Sequence, residues 1–132
     1  MFLNMLSNDE KELFLDVAIK AAEANGEIAK EEKEMLHAFA QEMKIESRST
    51  TNKDISEILK AFTENSSKQS MRIVVFELIG ILFADSEFDD FEKEFLSKVT
   101  DSFGISIETR DEMISEIKDY SENYNRICKT VL

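Results

Sequence analysis

The sequence predicts an all-α protein, a compact bundle of six to seven helices made from two pseudo-repeated three-helix units. Three observations lead there. The 132 residues contain no proline and only three glycines, so little in the chain breaks a helix. Apolar residues recur at three- and four-residue spacing through most of its length. Residues 71–84, MRIVVFELIGILFA, carry only Arg72 and Glu77 as strongly polar side chains. A surface helix would show one polar face, so this run reads as a helix buried around most of its circumference, with the others packed about it. Its β-branched centre, Ile73 to Val75, would suit a strand, but the run is too long for one and helical patterns flank it.

The elements follow in order. Ser7 and Glu10 form a capping box before an apolar run, and Leu13, Phe14, Val17, Ala18, Ala21 and Ala22 keep helical spacing. Asn25-Gly26 ends that helix, since both residues tolerate positive φ. A second helix from about Lys30 buries Met35, Leu36, Phe39 and Met43. The Ser/Thr-rich stretch 45–52 is a loop. A third helix, about 53–64, sets Ile55, Ile58, Leu59 and Phe62 on one face, and Asn65-Ser66-Ser67 separates it from the apolar run. Asp89 caps a fifth helix carrying Phe91, Phe95, Val99 and Phe103, Gly104 stops it, and Ser106 caps the next. From there Met113, Ile117, Tyr120, Tyr124, Ile127 and Val131 step by four and three, as one long helix or two with a bend near 121–123.

A chain of this length is expected to be one domain that buries roughly two-thirds of its unfolded surface, with no need of a disulfide or structural metal. The apolar run does not span a bilayer: its rise of ~21 Å falls short of a hydrocarbon core of ~30 Å. No secretory leader is expected, because the N-terminus lacks a basic segment and its apolar start breaks at Asn4 and Ser7. One cysteine, Cys128, suits a reducing compartment, so the expected location is the cytoplasm. The net charge of −12 repels nucleic acid and anionic lipid and attracts cations or basic protein surfaces.

Laid on itself with Ala24 set on Ala84, the chain repeats. In that register Glu27, Glu32, Lys33, Glu34, Leu36 and Ile45 fall on Glu87, Glu92, Lys93, Glu94, Leu96 and Ile105. Ile28, Met35 and Met43 meet Phe88, Phe95 and Phe103. Two units, about 7–62 and 67–120, are expected to face each other about a pseudo-twofold axis, with a C-terminal helix running to residue 132.

A helix, an Ala-Asn-Gly-Glu turn and a helix with Glu seven residues after the Asn, all recurring as Ala-Asp-Ser-Glu with Glu92, resembles the tellurite-resistance TerB-like domains, over about residues 3–120. Such domains also stand ahead of the J-domain in some DnaJ-like co-chaperones. The resemblance implies a compact helical, stress-associated module with metal-ion or protein-binding roles and no known catalysis. The family's acidic pair maps onto Asn25 and Glu32 in the first unit and onto Asp85 and Glu92 in the second. Asn25 stands where the family has Asp, and Ser86 where it has Gly.

Asp85, Glu87, Asp89, Asp90 and Glu92 cluster in the second turn, and hard cations such as Ca²⁺ or Mg²⁺ take several carboxylate oxygens from one short loop. The EF-hand pattern is not met, because its Gly position would be Asp90 and its terminal Glu position Leu96. Helix capping accounts for the same residues, with Asp89 accepting from first-turn N–H groups and Glu92 closing the box, and helix electrostatics favours that reading. In the first unit Ala29 sits where Asp89 would cap. A zinc-type site would need more than one His and one Cys, and a His37–Cys128 dyad has no third member. No Gly-rich phosphate loop is present.

The expected function is therefore a small acidic binding module rather than a carboxylate-based hydrolase, holding a divalent cation weakly at Asp85, Glu87, Asp89 and Glu92 with Asn25 and Glu32 as the first-unit counterparts. The alternative is a metal-independent adaptor that binds a basic or amphipathic protein through its acidic face or its C-terminal helix. Tyr120 and Tyr124 beside Ile127 and Val131 also suit weak self-association, since aromatics are favoured at interface centres.

Overall fold

Most helix starts lie where a side chain can take up first-turn N–H groups. The computed structural model describes residues 1–24, 26, 28–82 and 89–132, and these form six α-helices and a short 3₁₀ turn, with no strand among them. Helix α1, Asn8–Glu23, begins at Ser7, whose hydroxyl accepts the Glu10 N–H at 3.2 Å while the Glu10 carboxylate accepts the Ser7 N–H at 2.9 Å. Helix α2 spans Lys30–Met43. Helix α3, Ile55–Asn65, is boxed by Asp54 and Glu57. Helix α4, Lys68–Leu82, starts ahead of the apolar run, because the Ser67 hydroxyl accepts the Ser70 N–H at 3.1 Å and so draws Lys68 to Ser70 into the first turn. Helix α5 is Asp90–Phe103, and α6 is one unbroken helix, Ile107–Val131, capped by Ser106. Helices α2 and α5 both stop in a left-handed residue, Lys44 (φ 59°) and Gly104 (φ 68°).

Helix α4 is central, as its sequence predicts, but it shares the centre. Helix α1 packs against α2, α3 and α4; α4 packs against α1, α5 and α6; α3 also crosses α5. The helical spacing of its apolar residues understates this role of α1, which buries small residues (Ala18, Ala21, Ala22) and Asp16 along with Phe14, Leu15, Val17 and Ile19. Into the same core go Leu36, Ala40 and Met43 of α2 and Ile58, Leu59 and Phe62 of α3. Val74, Val75, Leu78 and Ile79 come from α4, and Leu96, Val99 and Phe103 from α5. Phe62 meets Phe103 edge-on at 5.5 Å, tying α3 to α5.

The two polar residues of the apolar run go their own ways. Arg72 is exposed, and Glu77 accepts the Phe2 N–H at 2.6 Å and the terminal amine at 2.7 Å, which fastens the 3₁₀ turn Leu3–Met5 to α4. No helix of the described residues is long and apolar enough to cross a membrane.

Several features recur in the register that sets residue 24 on residue 84. Helix α5 begins and ends at the counterparts of both bounds of α2, and α4 begins at the counterpart of the start of α1. The left-handed stops Lys44 and Gly104 keep the same offset. So do the backbone bonds that follow them, Ile45 N–H to Ala40 C=O and Ile105 N–H to Thr100 C=O, both 3.0 Å. Glu10 and Ser70, equivalent under that shift, touch each other at 3.3 Å where α1 and α4 begin.

Candidate functional site

Three of the six residues predicted for a cation site, Asn25, Asp85 and Glu87, lie outside the described residues. The other three are placed at helix starts. Asp89 adopts an extended backbone (φ −81°, ψ 175°); its Oδ1 accepts the Glu92 N–H at 2.8 Å, and Glu92 Oε1 accepts the Asp89 N–H at 3.2 Å. The structure therefore brings Asp89 and Glu92 together as a reciprocal capping box at α5. Glu32 takes the corresponding place at α2, where its Oε1 accepts the Ala29 N–H at 3.0 Å. Ala29 has no side-chain acceptor to return the bond, so only half the box exists there. Among the described residues, no three His, Cys, Asp or Glu side chains converge to hold a metal ion.

His37 is exposed on α2, with Nδ1 3.0 Å from the Ser47 hydroxyl, and Cys128 is half-buried near the end of α6.

The least-used surface of the bundle is α6. Over 25 residues it buries no side chain fully. Met113, Ile114 and Ile117 in its first half lean on the core at half depth, whereas α3 sends Ile58, Leu59 and Phe62 fully into it. Helix α3 ends after 11 residues, whereas α6 runs on for more than twice that length. On that extension Tyr120 is 59% exposed, Tyr124 57%, Ile127 51% and Val131 72%. At 3.6 residues per turn these four share one face, the continuation of the line through Met113 and Ile117. Solitary exposed apolar residues are ordinary, but a continuous row of them along one helix is the kind of patch that interaction surfaces present.

A different charged cluster holds the fold and was not visible in the sequence. Asp16 is almost fully buried in α1. It receives Arg48 Nη1 at 2.6 Å and Lys53 Nζ at 3.5 Å, and Arg48 also donates to the Glu12 and Thr50 carbonyls. These bonds press the loop between α2 and α3 onto α1. The signal in the sequence was the acid itself, set between Leu15 and Val17 on an apolar face, but nothing local named its partner beyond α2.

Compared with protein-family models, curated proteins and solved structures, the chain has no match in any of the three.

Proposed function

We propose that this chain is a small acidic protein-interaction module that docks its partner along the outer half of α6. One observation carries the reading: only the first half of α6, as far as Ile117, packs on the core, and the extension beyond it keeps an apolar face. A helix end with no task in its own core would be expected to lose such a face to charged residues, as the solvent sides of the other helices have done. Kinship with TerB-like domains, and with it a doubled three-helix architecture and a cytoplasmic, stress-associated role, belongs to the same proposal. Support for the doubling comes from the constant offset between α2 and α5 and between their capping and stop residues. The cation-binding reading gains nothing from Glu32, Asp89 and Glu92, which serve helix starts.

The test is partner capture with two variants. Removal of residues 120–132 is expected to abolish it, and Asp90→Lys on the exposed acidic start of α5 to leave it intact. Capture that survives the truncation overturns the reading.

A further inference from the structure

We infer that the partner seated on the outer half of α6 is a second copy of this chain, its own α6 laid antiparallel along the same stripe. The inference rests on the docking reading above and names the occupant.

The stripe repeats with the period of a packed helix pair. Met113, Ile117, Tyr120, Tyr124, Ile127 and Val131 alternate steps of four and three, which is the 3.5-residue period of a helix–helix seam. The first two lean on this chain's own core and the last four are bare. The surface is thus shaped for one more helix.

The flanks of the outer stripe carry no charge. Positions bordering a seam choose the partner, and a basic partner would be met by Asp or Glu there. Beyond Ile117 the bordering residues are Ser121 and Cys128 on one side and Asn123 and Thr130 on the other. In a chain that is 33% charged, with net −12, both borders are neutral where α6 leaves the body. Neutral borders serve a copy of the same helix, because identical charges would otherwise face each other.

Charge along α6 sets the direction. Residues 107–122 hold six acids and two bases, net −4, while 123–132 hold Arg126 and Lys129 and no acid, net +2. Residues 1–106 then carry −10, which with −4 and +2 restores the −12 of the chain. Antiparallel pairing lays each basic end toward the acidic half of the other helix, opposes the helix dipoles and holds the acidic bodies at opposite ends. Parallel pairing would stack like charge on like. The arrangement is isologous and closes as a twofold dimer. In register, Tyr120 meets Val131 of the second copy and Tyr124 meets Ile127 of the second copy.

Size fixes the expected strength. With Tyr120, Tyr124, Ile127 and Val131 more than half exposed, two copies bury on the order of 1,000 Å², the lower bound of specific interfaces. The dimer is therefore weak and concentration-dependent.

Sedimentation equilibrium of the full chain, from low micromolar to millimolar, reads it. The mass is expected to rise toward twice the monomer, and Ile127→Glu to weaken association by about tenfold or more with its melting temperature unchanged. Ser121→Cys adds a crosslink probe. The antiparallel register sets residue 121 beside Cys128 of the second copy, whereas the two lie two helical turns apart within one chain. Oxidised Ser121→Cys is expected to form a covalent dimer that is lost in Ser121→Cys with Cys128→Ser. A monomer at every concentration overturns the self-pairing; if Ile127→Glu then still abolishes partner capture, the docking reading survives without it. A dimer that persists in Ile127→Glu and gives no 121–128 crosslink also overturns the inference, because its interface lies elsewhere.

Discussion

Asp16 is the residue whose environment departs furthest from its chemistry. A carboxylate removed from water is tolerated when paired and hydrogen-bonded, and Arg48 and Lys53 supply both. Removing either side is not equivalent. Arg48 is about a third exposed, so after Asp16→Leu it swings into water, and Leu fills the apolar site. Asp16 has no such escape, so Arg48→Met leaves a buried charge with only Lys53, at 3.5 Å. Chemical denaturation is expected to show a loss of about 2–3 kcal/mol for Arg48→Met, a smaller loss for Asp16→Leu, and recovery in the double variant. Glu10 gives a pH signature. Burial pushes its carboxyl up, but hydrogen bonds from Ser66, from the Ser7 backbone and from the Ser70 and Ser7 hydroxyls outweigh that and hold it below 4.5. A carboxyl lowered on folding stabilises the protein above its unfolded value and loses that contribution as pH falls through the folded one. Stability measured from pH 6 downward (roughly the upper end of carboxylate titration) is therefore expected to fall less steeply in Glu10→Gln. Residue-scale features of this kind were partly legible. Ser7 with Glu10 was plain, because a box is local. The Ser66 and Ser70 contacts and the Asp16 pair join segments far apart in the chain, and no window of sequence contains both ends.

At the scale of the element, helices were legible wherever a polar face or a cap marked them. The start of α4 was not, because its first turn is polar and Ser67 looked like part of a break. The stop of α2 falls where the loop from residue 45 was expected, although a lysine occupies its left-handed position. Two residues in these helices sit opposite to their backbone preferences. Gly80 lies inside α4 on its exposed side, with open space where a Cβ would stand, and costs the helix conformational entropy. Lys44 holds φ 59° at the end of α2, where glycine is unstrained and where α5 has Gly104. Gly80→Ala and Lys44→Gly are each expected to stabilise by about 0.5–1 kcal/mol. The two sites share no contact in the core, so thermal or urea unfolding should show nearly additive gains in the pair. An unchanged or lowered midpoint for Gly80→Ala would mean that this face of α4 is covered.

For the whole molecule the question is how much chain the bundle needs. The core draws on Leu3, Leu6 and helices α1 to α5 for its fully buried side chains, and α6 contributes Met113, Ile114 and Ile117 at half depth. Nothing after Ile117 joins that core, and residues 118–132 are exposed apart from the half-buried Cys128. Removing residues 120–132 therefore takes away helix without opening a cavity, so neither the transfer nor the cavity cost of a core deletion applies. What is lost is hydrogen bonding within one exposed helix end, which in isolation is marginal anyway. The shortened chain is expected to melt within about 3 °C of the full one, with mean-residue ellipticity lowered only by the missing turns. Ending the chain at residue 106 is a different matter, because α4 would lose its α6 cover and expose part of its apolar face. That protein is expected to fall by more than about 10 °C or fail to fold. Calorimetry on the two truncations separates the parts: a large drop in the first would place residues 120–132 inside the folding unit and remove the reason for assigning them to a partner.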